Sequence, residues 1–247
     1  MKQLLVGIDD TDVKDSRGTG YKARMLAKNV IKAGLGEVPG ISRHQLLVDP
    51  RIPYTSHNSS ACLEVRTDDF DKIREFCRDY LMNESEDGSD AGLCIAELSG
   101  ISDEIIHWGM QAKITILEQH KAVSTAKNSG IYLEGFKGTH GGIIGAMAAV
   151  GLRAGGNDGR LIWLDGEKNL RDLQGIYLIS DLKTLINIDG VINKDGRAVR
   201  ENEVISLGEW LRPVIRKGKI LILAEEVTNN ESYEWESAHK DFVRAVS

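Results

Sequence analysis

Residues 3–12 read Gln-Leu-Leu-Val-Gly-Ile-Asp-Asp-Thr-Asp, an apolar run that ends in three carboxylates. A short apolar run bounded by polar residues is typical of a buried β-strand. The run therefore predicts a strand over residues 3–8 that holds Asp9, Asp10 and Asp12 at its end. The alternative is a solvated turn in which one aspartate caps a helix or closes an Asx turn.

The three aspartates favour a metal site over a solvated turn, because a rigid strand holds them close together. Neighbouring carboxylates repel one another unless a cation neutralises them. Mg²⁺ suits such a site because it binds through a few carboxylates and keeps water and substrate phosphates in its shell. We therefore expect Asp9, Asp10 and Asp12 to bind Mg²⁺ and, through it, the phosphates of a substrate.

Two glycine-containing segments add possible phosphate contacts. Gly18-Thr19-Gly20 precedes a predicted helix, and free backbone amides at a helix start attract anions. The alternative there is an ordinary N-cap. Lys137-Gly-Thr-His-Gly-Gly142 enters an apolar helix and lacks the Walker A pattern, yet it offers the same kind of oriented amides. The alternative is a tight turn for close packing. The residues predicted to bind the nucleotide in this second segment are Gly138, Thr139, His140, Gly141 and Gly142.

Hydrophobic periodicity predicts alternating helices and strands. The helix with the longest pattern extends from Asp103 to Thr125 and carries Ile106, Met110, Ile114 and Leu117 as its core stripe. Other helices are predicted after Gly20, at 69–81 and at 143–150. Strands are predicted at 46–48, 61–65, 93–98, 131–136, 161–164, 175–179 and 220–223.

Composition narrows the function classes. The chain has 247 residues, 41% hydrophobic and 28% charged, with a formal net charge of -6, so it is globular and lacks the basic excess of a bulk nucleic-acid binder. Its three cysteines form no CxxC pair, which indicates buried thiols and no zinc ribbon. The start lacks a signal peptide and no apolar stretch is long enough for a membrane span, so a cytoplasmic location is expected.

The chain resembles the catalytic region of archaeal tRNA(Ile) agmatinylcytidine synthetase. The similarity is carried by Gly-Ile-Asp-Asp-Thr-Asp at 7–12, by Pro-Tyr-Thr-Ser-His-Asn at 53–58 and by Gly-Gly-Ile-Ile-Gly-Ala-Met-Ala-Ala-Val-Gly at 141–151. The resemblance implies an ATP site in a kinase-like domain, with Asp9, Asp10 and Asp12 on Mg²⁺ and with Thr19 as phosphate acceptor. Asn58 matches the end of the family's second loop, which usually reads Lys-Thr-Arg-Gly-Asn.

The resemblance and the pattern together predict an α/β (α+β) fold with a mixed sheet and ferredoxin-like βα layering. The predicted domains are 1–165, with the ATP and metal site, and 166–247, a smaller β-rich lobe. The chain ends at Ser247 without the OB-like and zinc-ribbon modules with which the family holds RNA. For this chain alone, tRNA binding is therefore not expected.

The leading functional prediction is an ATP- and Mg²⁺-dependent phosphoryl-transfer or ligase-type enzyme that acts on a small molecule. One alternative is a nucleotide- or metal-binding module without catalysis. Another is a partner subunit of an RNA-modifying complex. No membrane partner is expected, and a homo-oligomer is compatible with the sequence.

Overall fold

A computed structural model describes residues 1–55, 57–166, 169–228 and 230–247 of the chain. The chain divides into two compact units, Met1–Gly155 and Gly156–Ser247. No helix in these described ranges is long and apolar enough to cross a membrane.

The first six elements of the first unit follow one another in the order strand, helix, strand, strand, helix, strand. They are β1 (Lys2–Asp9), α1 (Thr19–Lys32), β2 (Glu37–Gln45), β3 (Ser59–Thr67), α2 (Phe70–Glu84) and β4 (Gly92–Glu97). The strands pair side by side in the order β4-β1-β3-β2, and every pair among them is antiparallel. This connectivity is the ferredoxin-like arrangement, so the predicted layering is confirmed.

Further elements extend this unit on the β4 side and cover one face of its sheet. They are α3 (Asp103–Ala112), α4 (Gln119–Asn128), β5 (Tyr132–Gly135) and α5 (Ile143–Gly155), with a 3-10 turn at Leu98–Gly100. β5 pairs with β4, and α5 packs against β1, β3 and β4 while α3 packs on α5. The apolar helix that the sequence predicts at 143–150 is confirmed as the start of α5.

Successive side chains of a strand point to opposite faces of the sheet. In the first unit, both faces of β1 are buried. Leu5 belongs to the core that also contains α3, α4 and α5 residues, and the opposite face of β1 buries Leu4, Val6 and Ile8. Gly7 lies on the α5 side, where a Cβ atom would overlap the carbonyl oxygen of Ala146. Helix α5 therefore lies directly against the backbone of β1.

The three cysteines are free and buried, as predicted. Burial raises the pKa of the Cys77 thiol to about 12, and it also raises the pKa values of Cys62 and Cys94. Reactivity depends on the thiolate form, so none of the three is suited to nucleophilic chemistry.

The second unit is β-rich, as predicted. It contains β6 (Arg160–Leu164), β7 (Gly175–Leu178), β8 (Gly190–Asn193), β9 (Val204–Leu207), β10 (Val214–Arg216), β11 (Lys219–Glu226) and β12 (Trp235–Ser237), with helices α6 (Ile179–Ile186) and α7 (Lys240–Ala245). The strands run β6-β10-β11-β12-β9-β7, with β8 beside β11. The β11–β8 and β12–β9 pairs are parallel and the other pairs are antiparallel, so this sheet is mixed.

The long predicted helix over 103–125 is wrong, because α3 ends at Ala112 and α4 begins at Gln119. The predicted core stripe is wrong as well, since Met110 is 57% exposed and Ile114 is 71% exposed. The face that packs on α5 contains Ile105, Trp108 and Gly109, with the Trp108 indole N–H donating to the Ile144 carbonyl oxygen at 3.1 Å. A Cβ atom at Gly109 would crowd the backbone nitrogen of Leu152, so this glycine sets which face of α3 approaches α5.

The predicted strand at 46–48 is also wrong. The strand at this point is β2, which ends at Gln45. The Leu46 N–H still donates to the Asn58 carbonyl oxygen, in register with β3, whereas the Leu47 N–H leaves the ladder and donates to the Ala112 carbonyl oxygen. Pro39 and Gly40 interrupt the apolar pattern of β2, and the register shifts between Glu37 and Gly40, which explains why the periodicity does not predict this strand.

Candidate functional site

Four aspartates, Asp9, Asp10, Asp12 and Asp90, form what we call the acid cluster. β1 ends at Asp9, and Asp90 lies two residues before the start of β4. β1 and β4 are antiparallel neighbours in which Asp9 pairs with Gly92, so the end of one strand meets the start of the other. This pairing brings Asp90 to the residues that follow β1.

Asp9 lies against the first turn of α5. A Cβ atom at Gly145 would overlap the Oδ2 atom of Asp9, so the carboxyl group occupies the space that a glycine leaves open. Burial, together with the charges of Asp10 and Asp12, raises the pKa of Asp9 to about 8, while Arg43 opposes the shift. The charge of Arg43 thus does not offset the effect of burial, and the Asp9 carboxyl group keeps its proton at neutral pH.

Asp10 follows in a left-handed backbone conformation, with φ of 50°. Burial raises the pKa of its carboxyl group to about 6, and the charges of Asp90 and Asp12 act in the same direction. The carboxyl groups of Asp9 and Asp10 are therefore crowded together, and a bound cation would favour their ionised forms. Such perturbed carboxyl groups are frequent at functional sites that bind a cation.

Asp12 accepts hydrogen bonds from two segments that border the acid cluster. Its Oδ1 atom accepts hydrogen bonds from the Thr19 N–H and the Thr19 hydroxyl, each at 2.9 Å. Its Oδ2 atom accepts a hydrogen bond from the Thr55 hydroxyl at 2.8 Å. Because Thr19 is the first residue of α1, Asp12 ties the start of that helix to the end of β1.

The Thr19 hydroxyl is enclosed in a polar network. Thr19 is 7% exposed, and its Oγ1 accepts hydrogen bonds from the Thr11 hydroxyl at 3.1 Å and the Thr11 N–H at 3.4 Å. With its own proton directed at Asp12, this hydroxyl serves the structure of the loop. Gly18 is the N-cap of α1 and makes no side-chain cap hydrogen bond, and Gly20 lies in the first turn of the helix.

Asn58 is engaged with the backbone of the loop that connects β2 and β3. Its side-chain amide donates to the Leu47 carbonyl oxygen at 2.6 Å. The main-chain carbonyl oxygen of Asn58 accepts hydrogen bonds from the Leu46 N–H and from the side-chain amide of Gln45. These contacts close the base of the loop over residues 46–58. Ser56, within the family-like motif at 53–58, lies outside the described residues.

The segment Lys137–Gly142, which we call the glycine loop, lies against Asp90. The Asp90 carboxylate accepts a hydrogen bond from the Thr139 N–H, and its carbonyl oxygen accepts one from the Gly142 N–H at 2.8 Å. A Cβ atom at Gly138 would overlap the Asp90 carboxylate, and one at Gly142 would crowd the backbone of Asp9 and Asp90. The structure therefore brings the glycine loop and the acid cluster together.

Left-handed backbone conformations shape the glycine loop at Lys137, Gly138 and His140, whose φ angles are 59°, 48° and 64°. The His140 Cβ lies where a side chain of Gly135 would be, so His140 packs on the end of β5. Within the described ranges, the N–H groups of Gly138 and Gly141 have no hydrogen-bond partner. Backbone amides without a partner in a turn of this kind are suited to an anion.

Sequence reasoning missed Asp90, Thr11 and Thr55. Asp90 ends a short acidic and Ser/Gly segment that resembles a linker, and only the antiparallel pairing of β1 with β4 brings it to the site. Its position just before an apolar strand mirrors the position of Asp9 just after one, which is the signal that was available. Thr55 reaches Asp12 across a separation of 43 residues, which periodicity does not address.

The acid cluster does not by itself form a complete metal cage. Among residues 1–55, 57–166, 169–228 and 230–247, no group of three or more His, Cys, Asp or Glu side chains is arranged to hold a metal ion. The carboxyl oxygens of Asp9 and Asp10, whose ionised forms a cation would favour, nevertheless fit Mg²⁺, which typically binds one or two carboxylates and takes its other ligands from water and substrate phosphates.

Replacing Asp90 by alanine is expected to loosen the glycine loop, because the Thr139 N–H would lose its acceptor. One lost hydrogen bond is worth about 1.4 kcal/mol, which corresponds to about tenfold faster amide hydrogen exchange in a peptide covering 137–142. Asp90→Asn is the control, since it keeps an acceptor oxygen and removes only the charge. Unchanged exchange in Asp90→Ala would show that the loop holds its shape without this residue.

Comparisons with known proteins identify structures that resemble this chain. No protein-family model and no curated protein matches it. The crystal structure of a tRNA fluorescent labelling enzyme shares 25% sequence identity with a TM-score of 0.54, over 60% of this chain and 36% of that chain. A complex of TiaS with an isoleucine tRNA and ATP shares 25% identity with a TM-score of 0.54, over 61% of this chain and 36% of the other.

A third solved structure, apo TiaS, an agmatidine synthetase for an isoleucine tRNA, shares 23% identity with a TM-score of 0.53, over 60% of this chain and 35% of that chain. The chain thus spans about a third of the length of the structures that it matches. The resemblance to the catalytic region of the agmatinylcytidine synthetase is confirmed at the level of structure.

Proposed function

We propose that this chain is an ATP- and Mg²⁺-dependent enzyme that transfers a phosphoryl group or joins two substrates by a ligase-type reaction, with a small molecule as acceptor. The observation that carries the proposal is the crowding of the Asp9 and Asp10 carboxyl groups, whose pKa values are raised, beside the glycine loop. A Mg²⁺–ATP complex supplies both the cation that the carboxylates need and the anion that the loop amides suit. The similarity to TiaS in complex with ATP adds independent support.

In this proposal each segment has a separate task. Asp9 and Asp10 hold the Mg²⁺, which when bound neutralises charge on the phosphates. Gly138 and Gly141 offer backbone N–H groups to phosphate oxygens, with Asp90 keeping the glycine loop in shape. Asp12 and Thr19 hold the start of α1 and the end of β1 in register. Positioning of this kind, with electrostatic stabilisation, accounts for most of the catalysis of phosphoryl transfer.

Calorimetric titration tests the proposal most directly. Mg²⁺–ATP is expected to bind to the wild-type chain, and excess chelator is expected to abolish binding. Asp10→Asn is expected to weaken binding at least about tenfold, because it removes one anionic metal ligand. Asp71→Asn is the matched control, since Asp71 is an exposed aspartate on α2 that pairs with Arg74. Equal Mg²⁺–ATP affinity in wild type and Asp10→Asn would contradict the proposal.

Two further functions each have one observation in their favour. The enclosed Thr19 hydroxyl favours a nucleotide-binding module without catalysis, and ATP binding without release of ADP would select that function. The similarity to a structure of TiaS in complex with tRNA favours a subunit that works with a separate RNA-binding protein. Recovery of activity only after addition of such a partner would select the third function.

A further inference from the structure

Three buried polar side chains, which we call the polar row, lie on β2 and β3 of the first unit. Its members are Ser42, His44 and Ser60, and each is at most 1% exposed. Ser60 shares a sheet face with Cys62, which belongs to the apolar core that contains α5. In the β2–β3 ladder, Ser42 is opposite Cys62 and His44 is opposite Ser60. The polar row therefore faces α5.

The members of the polar row differ in their hydrogen bonds. Ser42 Oγ and His44 Nε2 are bonded to each other at 2.8 Å. The Ser60 hydroxyl, by contrast, has no hydrogen-bond partner among the described residues, although it is fully buried. Burying a hydroxyl without a partner costs free energy. An unpaired group of this kind indicates a state of the protein in which it acquires a partner.

The register of β1 and β3 brings Asp9 to Ser60. Ile8 pairs with Ala61 in the antiparallel ladder. The next pair along the two strands is then Asp9 with Ser60, and Cβ atoms of opposite residues in such a ladder lie about 5 Å apart. Asp9 also faces α5, because its Oδ2 atom lies against Gly145. The hydroxyl and the carboxyl group are therefore neighbours on one face of the sheet.

The surroundings of Ser60 favour Asp9 as the acceptor of its hydroxyl proton. On the other side of Ser60, the Nε2 atom of His44 is already bonded to Ser42. Rotation about a single bond moves a serine oxygen between staggered positions, whereas the Asp9 carboxyl group is restricted by its contact with Gly145. A carboxylate that binds a metal ion is in turn usually held by hydrogen-bond donors.

We propose that Ser60 is a positioning residue for a divalent cation at Asp9. This inference rests on the proposed function. With the Asp9 carboxylate bound to the cation, the Ser60 hydroxyl turns towards it and donates a hydrogen bond, which holds the carboxylate in the orientation that the cation requires. Partners of this kind typically change metal affinity by about 10- to 100-fold. The hydroxyl that is unpaired without the cation is thus paired with it.

Calorimetric titration of the full chain with ATP at limiting Mg²⁺ tests the inference. Ser60→Ala is expected to bind about tenfold more weakly than the wild type, because the Asp9 carboxylate loses its donor. Raising free Mg²⁺ about tenfold is expected to restore the wild-type affinity, since the defect lies in the affinity for the cation. A loss caused by misfolding would not be restored by Mg²⁺.

Thermal unfolding without Mg²⁺ and nucleotide gives a second readout. Ser60→Ala is expected to unfold at or above the wild-type temperature, because the substitution removes an unpaired buried hydroxyl. Ser42→Ala is the matched control, at a buried serine on the same sheet face whose hydroxyl is bonded to His44. This control is expected to unfold below the wild-type temperature and to bind Mg²⁺–ATP as the wild type does. The two serines thus have opposite expected effects.

The outcomes separate this inference from the proposed function. Wild-type affinity of Ser60→Ala at limiting Mg²⁺ would overturn the role of Ser60 and leave the proposed function standing. A lower unfolding temperature of Ser60→Ala in the absence of Mg²⁺ would also overturn it, because the hydroxyl would then stabilise the cation-free fold. A wild-type chain that does not bind Mg²⁺–ATP at any Mg²⁺ concentration would overturn both.

Discussion

Asp9→Asn is expected to make the protein more stable than the wild type above neutral pH, while it abolishes Mg²⁺–ATP binding. The asparagine side chain has the same shape as aspartate and carries no charge into the space beside Gly145. In the wild type, burial and the neighbouring acids raise the pKa of Asp9 to about 8. The substitution removes the cost of ionising that buried group.

The direction of the pH dependence follows from the two pKa values. In the unfolded chain Asp9 ionises near its ordinary pKa of 3.8, whereas in the folded protein it keeps its proton up to about pH 8. Between these values the folded state binds more protons, so wild-type stability falls as pH rises, by at most about 1.4 kcal/mol per pH unit. From about pH 6 to about pH 7.5 the stability advantage of Asp9→Asn should therefore grow by about 2 kcal/mol.

Urea unfolding followed by circular dichroism at the two pH values measures this difference. Asp71→Asn, at the exposed aspartate on α2, is expected to change by less than about 0.5 kcal/mol with pH. A parallel pH dependence of wild type and Asp9→Asn would show that Asp9 is ionised in the folded protein. Loss of nucleotide binding together with a gain in stability would show that Asp9 acts through its charge and that packing does not require the carboxylate.

Gly7→Ala is expected to destabilise the first unit by about 3 kcal/mol, because the added methyl group has no space to occupy. Its Cβ would overlap the Ala146 carbonyl oxygen and touch the side chain of Val150. The backbone of β1 lies against the backbone of α5 at this contact, and backbone atoms cannot rotate away as a side chain can. The overlap is therefore relieved only if α5 moves away from β1. Such a shift would also disturb the contact of Asp9 with Gly145.

Hydrogen exchange of peptides covering β1 and α5 measures this effect. A loss of about 3 kcal/mol corresponds to about 100-fold faster exchange through opening of the unit. Gly100→Ala is the matched control, since a Cβ atom there meets nothing within 4 Å and its exchange should stay near the wild-type rate. Wild-type protection in Gly7→Ala would mean that α5 adjusts its position at little cost.

The sequence predicts those parts of the fold whose cause is local. The apolar run before Asp9 and the polar residues around it suffice to predict β1. Helical spacing with an acidic start suffices to predict α2. The helix α5 is evident because its apolar residues follow directly on the glycine loop. In each case the pattern extends over neighbouring residues, and packing in the folded chain does not oppose it.

Non-local contacts decide the parts that the sequence does not predict. Asp90 reaches the site through antiparallel strand pairing, and Thr55 reaches it from a loop that Asn58 closes at its base. Ile114 satisfies the helical spacing yet lies beyond the end of α3, while Gly109 turns a different face of that helix towards α5. Registers and close approaches of this kind arise between segments that are distant along the chain, where a periodic pattern contains no information.

The candidate site is assembled from segments near residues 9, 55, 90 and 142, and this distribution has a consequence for biosynthesis. A ribosome that has released the first 90 residues has produced all four aspartates without the helix against which Asp9 packs. Domains generally fold as units during synthesis. The nascent chain is thus expected to gain its affinity for nucleotide late and abruptly, once translation has passed the end of α5.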